Sequence, residues 1–502
     1  MTAEVPLAPP PAPPPAPPLL ALRALQIGAI AVVLVVTTFN AFELDRFFVP
    51  KELVLHLAAL VAGYAAVRTL RTSASRVDLF LAIYLLLNVL SAIFATNHWL
   101  GLRGLAMTSS SILIFWSARA IRVSNHGDAL LGAIAIAVVI AAITSLLQTY
   151  GIDTTLFSEN RVPGGTLGNR NFVAHVAAFG APVLLYFAIR TRTFLIASIG
   201  FALVVGTLVL TRSRGAWLAF GAAMVVFIGG MLFRREARSF GLLFGAIAIA
   251  AGGLGAALFI PNTLKWRSDN PYVETAKKVV DYEGGSGRGR LIQYEHSLMM
   301  AARHPLFGVG PGNWAVEYPA NAARNDPSIS DSDPGTTYNP WPSSDWIAFI
   351  SERGFAAAVL LALAFIAMLR SNTTLVAVLV AAIIAGMFDA VLLTAVPAFL
   401  VWAAIGALWM PRTPSASRFL PGVAILAIVL AAAGVIRSAS QIYSMGAYVS
   451  GQSVEAAAAI DPGNYRLQLR LARGRHRCDH ARAALALMPH AHAAIEAARG
   501  CK

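Results

Sequence analysis

The sequence is short of charge, of acidic residues and of cysteine, and each shortage removes a class of protein. Only 13% of its 502 residues are charged, about half the share of ordinary soluble domains. That excludes a soluble enzyme or carrier. Acidic residues number 25 against 39 lysines and arginines, a formal charge of +14. The basic residues sit in short clusters at the ends of apolar runs, where they set membrane orientation, so nucleic acid is not an expected partner. Two cysteines, Cys478 and Cys501, both lie in the last twenty-five residues, so no cysteine-based metal site is expected. A cleavable signal-peptide pattern is also missing. In its place Met1–Pro18 is a proline–alanine tract that cannot form a helix. It is expected to lie disordered in the cytoplasm.

What the chain has in abundance is apolar surface: 57% of residues are hydrophobic. Runs of about eighteen or more apolar residues mark membrane-spanning helices. Candidate spans cover 20–41, 52–70, 77–95, 102–120, 128–148, 172–189, 194–210, 215–232, 240–260, 346–369, 373–393, 395–410 and 420–437. The least certain division is at Ala395-Val396-Pro397, where two short spans are alternatively one broken pair. The pattern predicts an all-α polytopic membrane protein with 12–13 transmembrane helices. Its expected organisation is a tail over 1–18, helices one to nine over 19–260 and a loop domain over 261–345. Helices ten to thirteen over 346–437 and a helical tail over 438–502 complete it. Arginine clusters after the second, fourth, sixth, eighth, tenth and twelfth spans fall on one face, which is expected to be cytoplasmic. The loop, the tail, Gly151–Asn171 and Thr211–Arg214 then face the other side.

The one long polar segment, Pro261 to Asp345, is rich in tryptophan and tyrosine, so it reads as a folded cap carrying the chemistry. Against the positive-inside bias, arginines recur on this external side. Arg212 and Arg214 flank Ser213 at the turn between two spans, and Arg288 and Arg290 follow Gly284-Gly285-Ser286-Gly287. Arg170 lies in Gly165-Thr166-Leu167-Gly168-Asn169-Arg170-Asn171, which opens the sixth span. A guanidinium fork suits a phosphate; the alternatives are interfacial snorkelling and solvated loop charge. The asparagines and glycines of 162–174 fit either an anion at a helix start or a simple cap. A glycine-rich lead into a helix beginning near Arg290 is expected. His304, before Pro305, is read as a helix-end residue or a catalyst. Asp345 is read as an N-cap or a catalyst, sharing a helical face with Glu352 seven residues on.

These motifs, in this order, resemble the O-antigen ligase and polymerase superfamily of membrane glycosyltransferases. The resemblance covers roughly 160–360. It rests on Gly165–Asn171, Ser213-Arg214-Gly215, Arg290 fourteen residues before the run His304–Asn313, and Glu352-Arg353-Gly354. It implies inverting, metal-independent transfer, with no cofactor, from an undecaprenyl-diphosphate-linked glycan on the periplasmic face of a bacterial inner membrane. The acceptor would be a glycan, the lipid A core of lipopolysaccharide, or a protein. Arg214 and Arg290 would hold the lipid diphosphate, assisted by Arg212, Arg288 and Arg170. The family places a histidine just before the span bearing Glu-x-Gly; here that position is Ser343, and no histidine occurs from there to the end of the tenth span. Asp345 or His304 would then act as base, or the protein would be a non-catalytic relative in envelope assembly. A polysaccharide or lipid-linked-glycan transporter is the other reading, though no internal repeat supports it.

The tail reads as alanine-rich, tetratricopeptide-like helices amounting to at most one and a half units. A helix through Ala481–Leu487, a break at Pro489 and a helix through Ala491–Arg499 would bring Cys478 and Cys501 together. A disulfide between them is expected.

Overall fold

The structure, a computed structural model, describes residues 18–39, 43–234, 237–278, 285–323, 325–475 and 477–501. The tract 1–17 lies outside them, as does Gly284. The protein is all-helical and polytopic. Nine helices lead: α1 (Leu19–Leu34), α2 (Glu43–Thr72), α3 (Arg76–Ile93), α4 (His98–Val123), α5 (Gly127–Thr149), α6 (Arg170–Ala188), α7 (Phe194–Thr211), α8 (Arg214–Arg234) and α9 (Ala237–Phe259). The loop holds α10 (Pro271–Lys277), α11 (Gly285–Arg303) and α12 (Trp314–Glu317). Then come α13 (Asp345–Arg353), α14 (Phe355–Met368), α15 (Thr373–Phe388), α16 (Ala395–Leu408) and α17 (Leu420–Val449). The tail adds α18 (Val454–Ile460), α19 (Tyr465–Arg475), α20 (Cys478–Leu487) and α21 (His492–Arg499).

Every candidate span has a helix. Eight are long and apolar enough to cross a membrane: α2, α3, α5 to α9 and α17. Four more, α1, α14, α15 and α16, are apolar but shorter. The remaining one, α4, carries Arg103, Arg119 and Arg122. It packs among α2, α16 and α17, and its middle is buried. Its charges are tolerable because Arg119 pairs with Asp78 and Arg103 with Glu52, as polar groups at membrane depth require.

Contacts show which helix ends lie together. At one end, Thr263 bonds the last residue of α5, Thr149, Arg170 and Arg212 meet Trp266, and Ser91 of α3 bonds the carbonyl of Phe307. The tail joins them: His492 N–H donates to Pro334 O at 2.9 Å, and Asn97 donates to Leu487 O. At the opposite end, Ala74 pairs with Ser415, and Asn372 donates to Leu408 O. Loop and tail therefore cap the same end of the bundle.

Two details depart from the expected spans, and one bears out the separate spans at 373–393 and 395–410. The tenth span is broken at Gly354 (φ +82°), between α13 and α14. There the turn segment Pro305–Gly310 lies against the break: Phe355 N–H donates to Pro305 O, and Val309 and Gly310 N–H donate to Ser351 and Glu352 carbonyls. A Cβ at Gly354 would stand 2.2 Å from Leu306 O, and one at Gly308 2.2 Å from the Glu352 carbonyl carbon, so the two motif glycines let one backbone seat on the other. Next, α15 and α16 are separate helices of 16 and 14 residues, about 21–24 Å long against a hydrocarbon core of about 30 Å. Their buried connection, 389–394, exposes N–H groups that need acceptors. Last, α17 continues twelve residues past the expected end at Arg437, and Arg437 forms a buried ion pair with Asp461 of the tail.

The tail packs Leu469, Ala484, Ala491 and Ala494 into a small core. Cys478 at the start of α20 and Cys501 beyond α21 form a disulfide, with Cα atoms 5.3 Å apart.

Candidate active site

The external arginines converge at the loop end of α6, α7 and α8. Asn169 caps α6 by accepting from Asn171 N–H, so the asparagine-rich motif caps the helix and leaves Arg170 as its first residue. Arg212 stops α7 in the left-handed conformation (φ +53°), which turns its side chain back over the loop. Its Nε donates to Thr275 Oγ1 at 2.8 Å on α10 and its guanidinium lies 3.6 Å from the half-exposed Glu274. Arg170 and Arg212 lie over the same indole, Trp266, at 5.0 and 4.8 Å from the ring centroid. Each contact is worth about 0.5–1 kcal/mol at an exposed site. Trp266 thus holds two like charges near each other, with Arg161 adding a third within electrostatic reach of Arg170. Arg214 donates to Lys278 O at 2.6 Å.

Arg288 and Arg290 stand in the first turns of α11, which begins at Gly285 and not near Arg290. One turn beyond Arg290, the Tyr294 hydroxyl lies 2.8 Å from Ser343 O and 2.7 Å from Met387 O. That bridge pins α11 against the end of α15, two residues from Asp389. Asp389 accepts from Asn171 Nδ2 at 3.1 Å and lies 3.9 Å from His175 Nε2. Arg290 is within electrostatic reach of that same His175. The Asp389 side chain keeps 18% exposure. Among the described residues, Arg170, Arg288 and Arg290 meet no carboxylate. Guanidiniums without carboxylate partners are suited to holding an anion.

Asp345 is not the helix cap: Ser344 occupies that position and Asp345 follows it. Its carboxylate is fully buried, and its two oxygens accept Val391 and Leu392 N–H at 3.0 and 2.8 Å. It satisfies the helix-free connection between α15 and α16, the need such backbone creates at membrane depth. His304 is exposed at the far end of α11; fourteen residues at 1.5 Å put it about 20 Å from Arg290. The structure therefore brings Arg170 and Arg212 together on Trp266, places Arg290 near His175, and leaves His304 apart. Ser343, at the expected histidine position, donates its N–H to Gln293. Glu352 accepts from Arg353 at 2.9 Å and lies beside Trp314 N–H, holding the loop to α13.

Asp389 and His175 escaped sequence reasoning. Asp389 ends an apolar run with no motif around it, and His175 is a lone histidine inside an apolar helix. The available signal was modest: a carboxylate between two apolar spans too short to cross alone.

The architecture is that of a multi-pass membrane protein with a group of arginines at the end covered by its loop. Residues 199–362, about a third of the chain, match the family model described as O-antigen ligase. The stretch contains Arg212, Arg214, Arg288 and Arg290. No curated protein matches the chain. The match supports a membrane glycosyltransferase-like role in O-antigen or envelope glycan assembly.

Proposed function

We propose that the protein transfers a glycan from an undecaprenyl-diphosphate carrier to an acceptor on the periplasmic face of the inner membrane, as an inverting ligase or polymerase. The observation that supports this reading is the pair Arg170 and Arg212 on Trp266, with Arg290 near His175, inside or beside the O-antigen ligase match; Arg170 and Arg290 meet no carboxylate among the described residues, and Arg212 meets only the half-exposed Glu274. When the glycosidic bond to the carrier breaks, the diphosphate gains negative charge. Fixed guanidiniums stabilise it without reorganisation. Asp389 is the carboxylate positioned to take the proton of the attacking acceptor hydroxyl, since it faces the same cluster and keeps partial exposure. Asp345, with both oxygens engaged by backbone, braces that loop.

A deletion strain tests the reading. Lipid-linked repeat units should accumulate on the outer leaflet and be cleared by the wild-type gene but not by Arg290→Ala. Accumulation on the cytoplasmic leaflet would point to transport, and no accumulation would remove the proposal.

A further inference from the structure

A second large feature lies next to the arginine cluster and is not used by it. A cavity of about 880 Å³ opens between α2, α4, α13, α17, the loop and the tail. That is within the roughly 300–1,000 Å³ of small-molecule sites. Its walls hold Glu52, Arg103, Glu352, Arg353, Arg437 and Asp461, which pair with one another. Aliphatic side chains such as Leu100, Ile112 and Leu361 share the lining, but burying these charges against a prenyl chain would strip their hydration, which favours a polar occupant. Aromatic faces complete the lining: Tyr338, Trp341 and Tyr465. Burial and the neighbouring Asp333 hold the Tyr465 phenol above its ordinary range, so it stays a neutral donor.

The tail supplies one wall. Arg466, Arg470 and Arg473 are spaced four and three residues apart on α19, which puts them on one face, and all three line the cavity. The partition from the arginine cluster is one layer of rings. Phe48 and Trp341 face the cavity, centroids 5.0 Å apart, and Phe172 packs on Phe48 at 5.5 Å. Phe172 sits directly after Asn171, which holds Asp389. The connection 389–394 spans both sides: Asp389 faces the arginines while Leu392 and Leu393 line the cavity.

We propose that this cavity is a binding chamber for an oligosaccharide, the acceptor glycan, and that the arginine face of α19 selects it. Sugar rings offer apolar faces for the aromatic groups and a rim of hydroxyls for the arginine and carboxylate forks. Placement across a single aromatic layer from Asp389 delivers the chain end to the transfer centre. The acceptor role rests on the function proposed above; the sugar chamber itself does not.

Photo-crosslinking of the full chain in its own membrane tests it. Tyr338→benzoylphenylalanine places the probe at the cavity, and Leu306→benzoylphenylalanine, on the exposed loop surface, is the control. The adduct from position 338 should contain hexoses on mass analysis. It should fall about tenfold with Arg470→Gln/Arg473→Gln, two charge-assisted bonds being lost, and persist with Arg290→Ala. A phospholipid-only adduct, no adduct, or equal sugar labelling from both positions overturns the chamber. Sugar adduct together with normal glycan transfer by Arg290→Ala leaves the chamber standing and removes the donor-site reading. No sugar adduct with transfer abolished in Arg290→Ala does the reverse.

Discussion

The arginines of this protein behave in two opposite ways. Around the cavity, Arg103, Arg353 and Arg437 each hold a carboxylate: Glu52, Glu352 and Asp461. At the ends of α6 and α11, Arg170, Arg288 and Arg290 hold none among the described residues. A buried pair fixes two elements relative to each other, and removing one partner strands the other charge. A group of guanidiniums lacking such partners repels itself until an anion arrives. The first kind is architecture and the second is the site we propose, though both sit within a few residues of aromatic rings that would suit either use.

That contrast can be broken most strongly at Arg437. Arg437→Ala leaves Asp461 buried and uncompensated, so stability should fall by about 3–5 kcal/mol. Thermal unfolding in detergent measures it, and an unchanged melting temperature would mean the pair holds nothing. The tail has a second fastener. Cys478→Ser/Cys501→Ser should cost the tail about 3 kcal/mol in the chain-entropy model, seen as earlier proteolysis after Val449. Two freely alkylated thiols in unreduced wild-type protein would show that the bridge does not form in cells.

At the arginines proposed to hold the diphosphate, the expected effects are on chemistry. Arg212→Ala and Arg290→Ala should each lower transfer ten- to hundredfold, the loss of a charge-assisted bond worth about 1.5–3 kcal/mol, with melting unchanged. Wild-type glycan profiles would refute the phosphate role. The smallest expected effect is at Asp345. As a brace it should lose about 1 kcal/mol of stability in Asp345→Asn, one backbone bond being weakened, and retain most activity. Asp389→Asn should lose activity with little change in melting. The reverse outcome would return the base to Asp345.

The helices were legible because membrane solvent leaves long apolar runs few alternatives. The disulfide followed from a proline break placed midway between two cysteines. The arginines were legible as motif residues against the orientation bias. What stayed hidden was backbone demand. The apolar run through Ile350 and on to Met368 reads as one helix, and only the seating of Pro305–Gly310 explains the break at Gly354. Likewise Asp345 reads as a cap because nothing in its neighbourhood announces that Val391 and Leu392 N–H, nearly fifty residues on, need acceptors. Asp389 and His175 were hidden for the same reason, joined only by the way α15 ends against α6.

Direct titration of the purified protein in lipid nanodiscs with undecaprenyl diphosphate tests the cluster most simply. Wild type should bind it, and Arg290→Ala and Arg170→Ala should bind ten- to hundredfold more weakly, while the paired-arginine variant Arg103→Gln, if folded, should bind like wild type. Equal affinity in all four proteins would contradict the assignment of these arginines to the diphosphate.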